Sequence, residues 1–343
     1  MMCVKWCLRG KFFGKVLFVM ATFGVLLVLQ GTVEIEETTK VTVNKVLDVE
    51  TLYRNSKYPP HSNRAMKVHK HVRNEWILDG HTCRNNSDFF LTGVLLDGPQ
   101  GTLPIYIHFP VEDQHISGGI SREGAWEPRL VNYVHSILLN DSSLDFIDIG
   151  ANIGVYTLTM AKLGRQVIAI EPFKPNIKRL CRTLEENRVN DKVTLITNPL
   201  SNNRSLVAME THFGNVGGTN VRKSFSNDSE ILQTITLDDV YKFKPLKRAV
   251  IKMDVESFET NVLLGAVNFF DKVDVPFMLM EWLLHKWKKD ASKIIKFMTD
   301  RNMFPYTTDS PPVPLQLYLF NGWPNDIFWI KRGAFDIFEP NVF

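Results

Sequence analysis

The residues with the clearest chemical pattern are two acids on either side of a glycine-rich turn. Asp148 stands near the end of the apolar run 146–149, and the sequence Gly150-Ala-Asn152-Ile-Gly154 follows it. Glu171 ends a second apolar run about twenty residues after Gly150, the separation at which a carboxylate reaches the hydroxyls of a bound ribose. Glycines in such a turn let the backbone approach a ligand closely. The stretch therefore predicts a strand, a turn, a helix and a second strand that bind a nucleotide-containing cofactor.

Asn152 distinguishes between two classes of cofactor. A dinucleotide site requires the pattern G-x-G-x-x-G with a helix N-terminus facing the pyrophosphate, and Asn152 occupies the position of its second glycine. S-adenosylmethionine (SAM) carries no phosphate and fits this turn better, so we predict SAM as the cofactor. The predicted cofactor-binding residues are Asp148, Gly150, Asn152, Gly154, Glu171 and Asn198.

The expected roles of these residues differ. Glu171 is assigned to the ribose of the adenosine. Asp148 is expected to orient the glycine turn or the amino-acid end of SAM, with capping of local backbone amides as the alternative. Asn152 would act through its backbone or its side chain. Asn198 follows a third predicted strand and is either an adenine-side contact or an ordinary turn residue.

A second group of carboxylates lies where a fourth and a fifth strand are predicted to end. The segment Lys252-Met-Asp-Val-Glu-Ser-Phe-Glu259 contains three acids, and Glu281 ends the next apolar segment. Crowded carboxylates raise one another's pKa, and one of them can then take a proton from a hydroxyl. They can equally bind a metal, cap a helix or pair with Lys252. We predict Asp254, Glu256 and Glu281 as catalytic residues and assign no metal site.

These motifs, in this order, resemble those of the FkbM-type SAM-dependent methyltransferases. The resemblance covers roughly residues 119–282 and rests on Gly124-Ala-Trp-Glu-Pro128, Asp148–Gly154, Ala169-Ile-Glu-Pro172, Thr236-Leu-Asp-Asp239 and Lys252–Glu259. It implies an α/β fold, the doubly wound, Rossmann-like sheet of class I SAM-dependent methyltransferases. Ser257 stands where the family usually has glycine, and a serine is expected to be tolerated there if its φ is negative.

A doubly wound sheet with helices on both faces would bring these residues to one edge. Strands are predicted at 146–149, 166–170, 192–197, 250–253 and 277–281, and helices at 129–139, 155–163, 175–187, 259–266 and 289–300. Segments 315–320 and 327–330 are predicted as closing strands, which could supply the antiparallel seventh strand that the resemblance implies. A hairpin is predicted from 89–96 and 103–109, with a loop longer than two residues. Residues 214–220 are expected to form a polar loop, either a lid or acceptor contact or an ordinary hairpin loop.

The N-terminal residues predict a membrane anchor. Basic residues at Lys5, Arg9, Lys11 and Lys15 precede an apolar run that, extended back to Phe12, reaches the ~20 residues of a bilayer-spanning helix. Acids after the run favour an orientation with the N-terminus in the cytosol. A cleaved signal peptide is the alternative. The predicted organisation is a cytoplasmic tail at 1–11, a transmembrane signal-anchor at 12–31, a lumenal stem at 32–80, an N-terminal extension with the hairpin and a covering helix at 81–140, and the methyltransferase domain at 141–343.

Other features are consistent with a secretory-pathway protein. N-x-S sequons begin at Asn85, Asn140, Asn203 and Asn227. Cys83 and Cys181 would both be lumenal and could form a disulfide, which the sequence alone does not decide. The net charge of +3 and the 44% hydrophobic content are those of an ordinary globular protein, and they argue against a nucleic-acid partner.

We therefore expect a single-pass type II membrane glycoprotein of the Golgi or ER with a lumenal SAM-dependent O-methyltransferase domain. Its expected acceptor is a hydroxyl of a glycan or of a secreted small molecule. The alternative is a membrane-tethered, non-catalytic binding protein, a pseudo-methyltransferase, for which Ser257 is the only indication.

Overall fold

The computed structural model describes residues 66–83, 90–225 and 227–334, together with the backbone of three strands nearer the N-terminus. These strands, β1 (Phe12–Ala21), β2 (Gly24–Val33) and β3 (Val41–Val46), pair antiparallel within a unit that spans Met1–Asn63. The predicted transmembrane range, 12–31, falls on β1 and β2, and its side chains lie outside the described residues. Membrane anchoring therefore stays a prediction. Among the described residues, no helix combines the length and the apolar character that crossing a membrane requires.

The second unit, Arg64–Phe343, is organised around a large mixed sheet. Nine strands of the described residues form it: β4 (Lys67–Val72), β5 (Glu75–Leu78), β8 (Asp145–Ile149), β9 (Val167–Ile170), β10 (Val193–Ile196), β14 (Arg248–Met253), β15 (Asp274–Glu281), β16 (Met303–Tyr306) and β17 (Asp326–Lys331). Their order across the sheet is β16-β17-β15-β14-β8-β9-β10-β4-β5.

Seven consecutive strands of this sheet, from β10 to β16, have the order 3-2-1-4-5-7-6 when numbered along the chain. The first five of them are mutually parallel, and β17 is antiparallel to both of its neighbours. The strand order reverses between β8 and β14, which is the place where ligands bind in open α/β sheets. The expected doubly wound sheet with an antiparallel seventh strand is confirmed.

One of the two predicted closing strands is wrong. Residues 327–330 lie in β17, but 315–320 do not form a strand and instead contain a 3₁₀ helix, Leu317–Gly322. The sixth strand of the seven is β16, at the edge of the sheet. Pro305 lies within it and lacks an N–H donor, which only an edge strand tolerates easily. That proline concealed the strand in the sequence.

Helices cover both faces of the sheet, and a separate hydrophobic cluster lies between the sheet and the helices on each face. On one face lie α1 (Ile116–Glu123), α2 (Pro128–Asn140), α3 (Val155–Lys162) and α4 (Lys174–Glu186). On the other lie α5 (Leu237–Phe243), α6 (Glu259–Leu264), α7 (Val267–Lys272) and α8 (Ala291–Thr299). The predicted helices at 129–139, 155–163, 175–187, 259–266 and 289–300 are therefore confirmed within a few residues.

The side chains of β8 show how the sheet sorts its residues. Successive residues of a strand point to opposite faces. Phe146 packs in the cluster under α2, α3 and α4, whereas Ile147 and Ile149 pack in the cluster on the other face. Asp148 is in step with Phe146, so this acid is directed towards α3 and not out of the end of the strand.

Smaller sheets and a disulfide complete the unit. β6 (Leu91–Gly98) and β7 (Gly101–Ile107) form the predicted hairpin, with a shorter loop than expected because Gly98 pairs with Gly101. β11 (Leu206–His212), β12 (Asn215–Lys223) and β13 (Leu232–Gln233) form a three-stranded sheet.

The segment that precedes the hairpin is tied to the rest of the unit at two places, one in the main sheet and one in a helix. β4 pairs parallel with β10, so residues 67–78 of the predicted stem belong to the folded unit. Shortly after β5, Cys83 forms a disulfide with Cys181 of α4, with 5.5 Å between their Cα atoms. The predicted stem, 32–80, therefore overlaps the folded unit from residue 67 onwards.

Candidate functional site

A cavity of about 600 Å³ opens where β8, β9, β14 and β15 end, at the reversal of strand order. Seven of the nine predicted site residues line it: Gly150, Asn152, Gly154, Glu171, Asp254, Glu256 and Glu281. The two halves of the prediction, the glycine turn and the second group of acids, therefore share one space. Asp148 and Asn198 are buried and are not part of the cavity wall.

The glycine turn needs its glycines for a steric reason. Gly150 has a φ of +82°, and a Cβ at this position would lie 1.8 Å from the carbonyl oxygen of Asp254. Gly154 has a φ of +95°, and its Cβ would lie 2.2 Å from a methyl carbon of Leu180. At Gly150 the obstacle is backbone, whereas at Gly154 it is the end of the Leu180 side chain, and the positive φ of both residues disfavours any side chain. The turn thus brings its backbone against the end of β14 on one side and against α4 on the other.

The Glu171 carboxylate is held by the backbone. It accepts hydrogen bonds from the N–H groups of Asn152 and Phe173, each at 2.8 Å, and the Asn176 side chain bonds it as well. Burial raises the pKa of Glu171 to about 7, against the opposing effect of these bonds. A carboxylate offers about four acceptor positions, so capacity remains on the cavity side for a ligand hydroxyl.

Asp148 stabilises the turn from behind. Its Oδ2 accepts a hydrogen bond from the Thr157 hydroxyl at 2.6 Å, and its Oδ1 is buried with no hydrogen-bond partner among the described residues. Burial raises the pKa of Asp148. The bond to Thr157 joins β8 to α3 across the glycine turn, so the geometry agrees with orientation of the turn and places the carboxylate away from the cavity wall.

Asn198 has a structural task. Its Oδ1 accepts a hydrogen bond from the N–H of His71 at 2.7 Å, and its Nδ2 donates to the carbonyl oxygens of His71 and Gln233 at 3.0 and 2.8 Å. All of these partners are backbone groups. The side chain therefore links β4 and β13 to the end of β10, which agrees with the structural one of the two roles predicted for it.

The second group of acids surrounds Lys252. The Lys252 ammonium donates hydrogen bonds to the Gly150 carbonyl at 3.2 Å and to Asp254 at 3.1 Å. Burial alone would lower the pKa of Lys252, but the charges of Asp254, Asp148 and Glu127 outweigh it and raise that pKa. Among the described residues that line the cavity, Lys252 is the one lysine or arginine, and it is already paired. The cavity thus offers no basic cradle for a pyrophosphate.

Glu256 and Glu281 carry the perturbed carboxyl groups of this region. Burial raises the pKa of Glu256 to about 7, with Asp254 and Glu259 acting in the same direction. Burial and then the charges of Asp254, Glu256 and Glu259 raise the pKa of Glu281 well above its ordinary value. Such crowding is what makes a carboxylate a better proton acceptor once it is ionised.

Glu259 differs from the other acids because it is fully buried. It accepts the Val255 N–H at 3.0 Å and contacts Nε2 of His285 at 2.7 Å. Oxygen atoms of Asp254, Glu259 and Glu281 all lie within 4.8 Å of one another, a geometry that could hold a cation. The Glu259–His285 pair fixes the loop after β14.

In that loop, the backbone conformation of Ser257 differs from the condition set in the sequence analysis. Serine was expected to be tolerated in place of the usual glycine if its φ were negative, but Ser257 has a φ of +79°, and Glu256 before it has a φ of +53°. Two successive residues with side chains thus occupy the left-handed region, which costs conformational energy for L-residues. The loop keeps the shape that a glycine would allow and strains the serine.

Residues 214–220, predicted as a polar lid or an ordinary hairpin loop, lie in a β-hairpin beside the cavity, and most of them are strand residues and not loop. Most of this segment belongs to β12 and is paired with β11. The Asn152 side chain donates a hydrogen bond from Nδ2 to the Gly217 carbonyl at 3.0 Å, and Asn215, Gly217 and Thr219 line the cavity. The hairpin is therefore joined directly to the glycine turn.

Sequence reasoning missed two acids of the cavity wall. Glu127 has a φ of +46° and accepts a hydrogen bond from the Tyr156 hydroxyl at 2.7 Å, and burial raises the pKa of Glu127 to about 7. Asp326 begins β17, which runs antiparallel and so starts at the cavity edge; burial raises the pKa of Asp326 to about 6. The signal for Glu127 was its place in the motif Gly124-Ala-Trp-Glu-Pro, immediately before the helix-starting proline. Nothing in the sequence marked Asp326.

The strand order, the antiparallel seventh strand and the cavity at the reversal point define a class I, Rossmann-like methyltransferase fold. Residues 148–303 match the model of the methyltransferase FkbM domain. This range contains the glycine turn, Glu171 and the acids from Asp254 to Glu281. Residues 148–303 are therefore similar to an FkbM methyltransferase domain, and SAM as the cofactor is implied by that family alone.

Several solved methyltransferase structures resemble the chain at low identity. The SAM-dependent methyltransferase from Agrobacterium tumefaciens is 8% identical with a TM-score of 0.38, over 90% of this chain and 88% of that one. The precorrin-6y C5,15-methyltransferase from Geobacter metallireducens GS-15 is 14% identical with a TM-score of 0.32, over 60% and 85%. The O-methyltransferase from Bacillus cereus is 11% identical with a TM-score of 0.34, over 60% and 83%. Likenesses at these scores carry no argument about function, and no curated protein matches the chain.

The cavity fits SAM by the chemistry of its donors and acceptors. Glu171 offers an acceptor for ribose hydroxyls, the glycine turn allows close backbone approach, and the acidic surroundings suit a cofactor with a sulfonium and an ammonium group. The residues that would hold SAM are the glycine turn and Glu171. The other two predicted contacts, Asp148 and Asn198, do not line the cavity and form hydrogen bonds within the protein.

Proposed function

We propose that this protein is a SAM-dependent O-methyltransferase whose acceptor hydroxyl loses its proton to the acids Asp254, Glu256 and Glu281. The observation that supports this most directly is the placement of these three carboxylates in the same cavity as the glycine turn and Glu171. Proton removal is needed when the nucleophile is a hydroxyl, and positioned carboxylates with raised pKa values can provide it.

Different residues would bind the cofactor, accept the proton and exclude water. SAM, when bound, supplies an electrophilic methyl group. Glu171 would hold the ribose, and the turn from Gly150 to Gly154 would fix the position of the cofactor, because methyl transfer depends on in-line approach of the nucleophile. Glu281, at the end of β15, and Glu256 would accept the proton of the hydroxyl. The hairpin of β11 and β12 would exclude water from the cavity.

Lys252 would organise the acids without taking part in proton transfer. Its ammonium bonds both the Gly150 carbonyl and Asp254, and so connects the cofactor turn to the acceptor side of the cavity. Because the pKa of Lys252 is raised, its ammonium stays charged where it bonds Asp254. Burial, and then interaction with Asp254, raise the pKa of Glu256 and of Glu281.

The proposed location is the lumen of the secretory pathway, with the N-terminal segment as a membrane anchor. The disulfide between Cys83 and Cys181 supports an oxidising compartment. The sequon asparagines Asn140, Asn203 and Asn227 are exposed, as glycosylation requires, and Asn85 lies outside the described residues. An acceptor found in that compartment is a glycan or a secreted small molecule.

The activity is tested with full-length protein in detergent, methyl-labelled SAM and a library of released glycans, with product detection by mass spectrometry. We expect labelled O-methyl glycan from the wild type and very little from Glu281→Gln. Binding of SAM without transfer to any hydroxyl acceptor would contradict the proposal, as would transfer to nitrogen. The location is tested separately: glycosidase treatment is expected to increase the gel mobility of the expressed chain, and an unchanged mobility would argue against a lumenal domain.

A further inference from the structure

Glu127 lies on the cavity wall in a conformation that its surroundings impose. Its φ of +46° lies in the left-handed region, which residues with a side chain rarely adopt. It is also the residue immediately before α2, whose first residue is Pro128. The Tyr156 hydroxyl donates a hydrogen bond to Glu127 Oε2 at 2.7 Å. One carboxylate oxygen is thus fixed by a buried tyrosine, while Glu127 itself lines the cavity.

A short series of contacts connects Glu127 to the glycine turn. Tyr156 is the second residue of α3, which begins directly after Gly154. The Lys252 ammonium lies 5.5 Å from the centre of the Tyr156 ring and bonds the Gly150 carbonyl at 3.2 Å. Glu127 therefore lies on the side of the turn that faces β14, together with Lys252.

Glu171 holds the opposite side of the same turn. It follows β9, the neighbour of β8 away from β14, and bonds the Asn152 N–H. Two carboxylates thus stand on either side of one glycine turn, one towards β9 and one towards β14. SAM has two hydrogen-bond donor groups on opposite sides of its sulfonium that carboxylates bind well: the ribose diol and the α-ammonium of the methionine part. If Glu171 holds the ribose, the methionine part extends towards Glu127.

From this arrangement we infer that Glu127 binds the α-ammonium group of the cofactor's methionine part, with Tyr156 as a positioning residue that aims its carboxylate. This rests on the proposed function, because it assumes the SAM site described above. The free oxygen of Glu127 accepts an N–H of the ammonium, and the Tyr156 bond keeps the carboxyl plane in place. The acids around Lys252 remain for the acceptor side.

The experiment compares two ligands that differ in the methionine part. S-adenosylhomocysteine keeps the amino-acid end, and methylthioadenosine lacks it while keeping the adenosine and the sulfur. Both are titrated calorimetrically into full-length wild type, Glu127→Gln, Tyr156→Phe and the matched control Glu123→Gln, which changes an exposed glutamate four residues earlier. Circular dichroism and thermal unfolding check that each variant is folded.

We expect Glu127→Gln to weaken S-adenosylhomocysteine by about 10- to 100-fold, the effect of losing a hydrogen bond between charged groups, and to leave methylthioadenosine within about two-fold. Tyr156→Phe should weaken only S-adenosylhomocysteine, by about 3- to 10-fold. Glu123→Gln should change neither affinity.

The outcomes separate the two levels of the inference. Equal weakening of both ligands by Glu127→Gln, or no weakening of either, would overturn the role of Glu127 while wild-type binding still supports the cofactor site. Wild type that binds neither ligand would overturn the SAM site itself, and with it this inference. Selective loss of S-adenosylhomocysteine affinity supports it independently of any acceptor.

Discussion

The backbone N–H of Asn152 donates a hydrogen bond to Oε2 of Glu171 over 2.8 Å, across nineteen positions of the sequence. This bond joins the glycine turn after β8 directly to the residue after β9. The turn and the ribose-binding candidate are therefore one structural unit, and a change at Glu171 alters both the ligand contact and the shape of the turn.

Replacing Glu171 should weaken every adenosine ligand. In Glu171→Ala the Asn152 and Phe173 N–H groups lose a buried acceptor, which costs about 1–3 kcal/mol of unfolding free energy. The ribose contact is lost as well. We expect affinities for S-adenosylhomocysteine and methylthioadenosine to fall together by at least about ten-fold. Calorimetry and urea unfolding measure the two effects; the exposed Glu230→Gln is the control, and unchanged ligand affinity would refute the ribose assignment.

The rate of methyl transfer should rise with pH through the neutral range. Burial raises the pKa of Glu256 to about 7, so this carboxyl still carries its proton below pH 7 and cannot accept another. As pH rises through that value the group ionises, and a proton acceptor becomes available. We expect kcat to increase from about pH 6 upwards, first as Glu256 ionises near pH 7 and then as Glu281, whose pKa burial raises to about 9, ionises as well, measured at saturating SAM.

Glu281→Gln should lower kcat by about 10²- to 10⁴-fold while the affinity for SAM changes little, because Glu281 lies on β15 and not beside the glycine turn. Steady-state kinetics on the acceptor, together with calorimetry on the cofactor, tests this. A variant that retains full kcat, or a wild-type rate that is flat over the same pH range, would show that these carboxylates are not the base.

The disulfide between Cys83 and Cys181 should carry a large part of the stability of the second unit. It closes a loop with a sequence separation of 98, and cross-links over such lengths stabilise by about 2–5 kcal/mol. We expect Cys83→Ser with Cys181→Ser to lower the unfolding free energy by that amount in urea denaturation. Reductant should destabilise the wild type equally and leave the double variant unchanged; an equal effect of reductant on both would contradict the assignment.

Ser257→Gly should stabilise the protein. Ser257 has a φ of +79°, and glycine removes the conformational cost of a side chain in that region at the expense of a more flexible unfolded chain. The expected net gain is about 0.5–1 kcal/mol of unfolding free energy. The control is Ser292→Gly in α8, where φ is helical and a loss of about 0.5 kcal/mol is expected. A lower unfolding free energy in Ser257→Gly would mean that the serine side chain itself stabilises the fold.

Local sequence patterns were enough to predict those parts of the structure whose residues are contiguous in the sequence. The glycines at 150 and 154 let the turn approach the backbone of Asp254 and the side chain of Leu180 closely. Their spacing in the sequence predicted a close approach without identifying either partner. The strands before and after it were predictable from their apolar runs. The clusters on the two faces of the sheet follow from the alternation along each strand.

Tertiary structure decided how the acids are used. Asp148 and Asn198 were each predicted with a ligand role and a structural role as alternatives. Their hydrogen bonds, to Thr157 and to backbone groups of His71 and Gln233, agree with the structural roles. Glu127 reaches the cavity from the position before α2, and Asp326 reaches it from the start of β17. Such placements depend on which strands become neighbours.

By itself the sequence determined the sheet class, the glycine turn, Glu171 and the acids from Asp254 to Glu281, since each is encoded by residues close together. What only the fold decided is the pairing of distant groups: Glu127 with Tyr156, Cys83 with Cys181, and the positive φ of Ser257. The physical reason is that burial, hydrogen-bond geometry and charge coupling depend on distances in space, which local spacing does not fix.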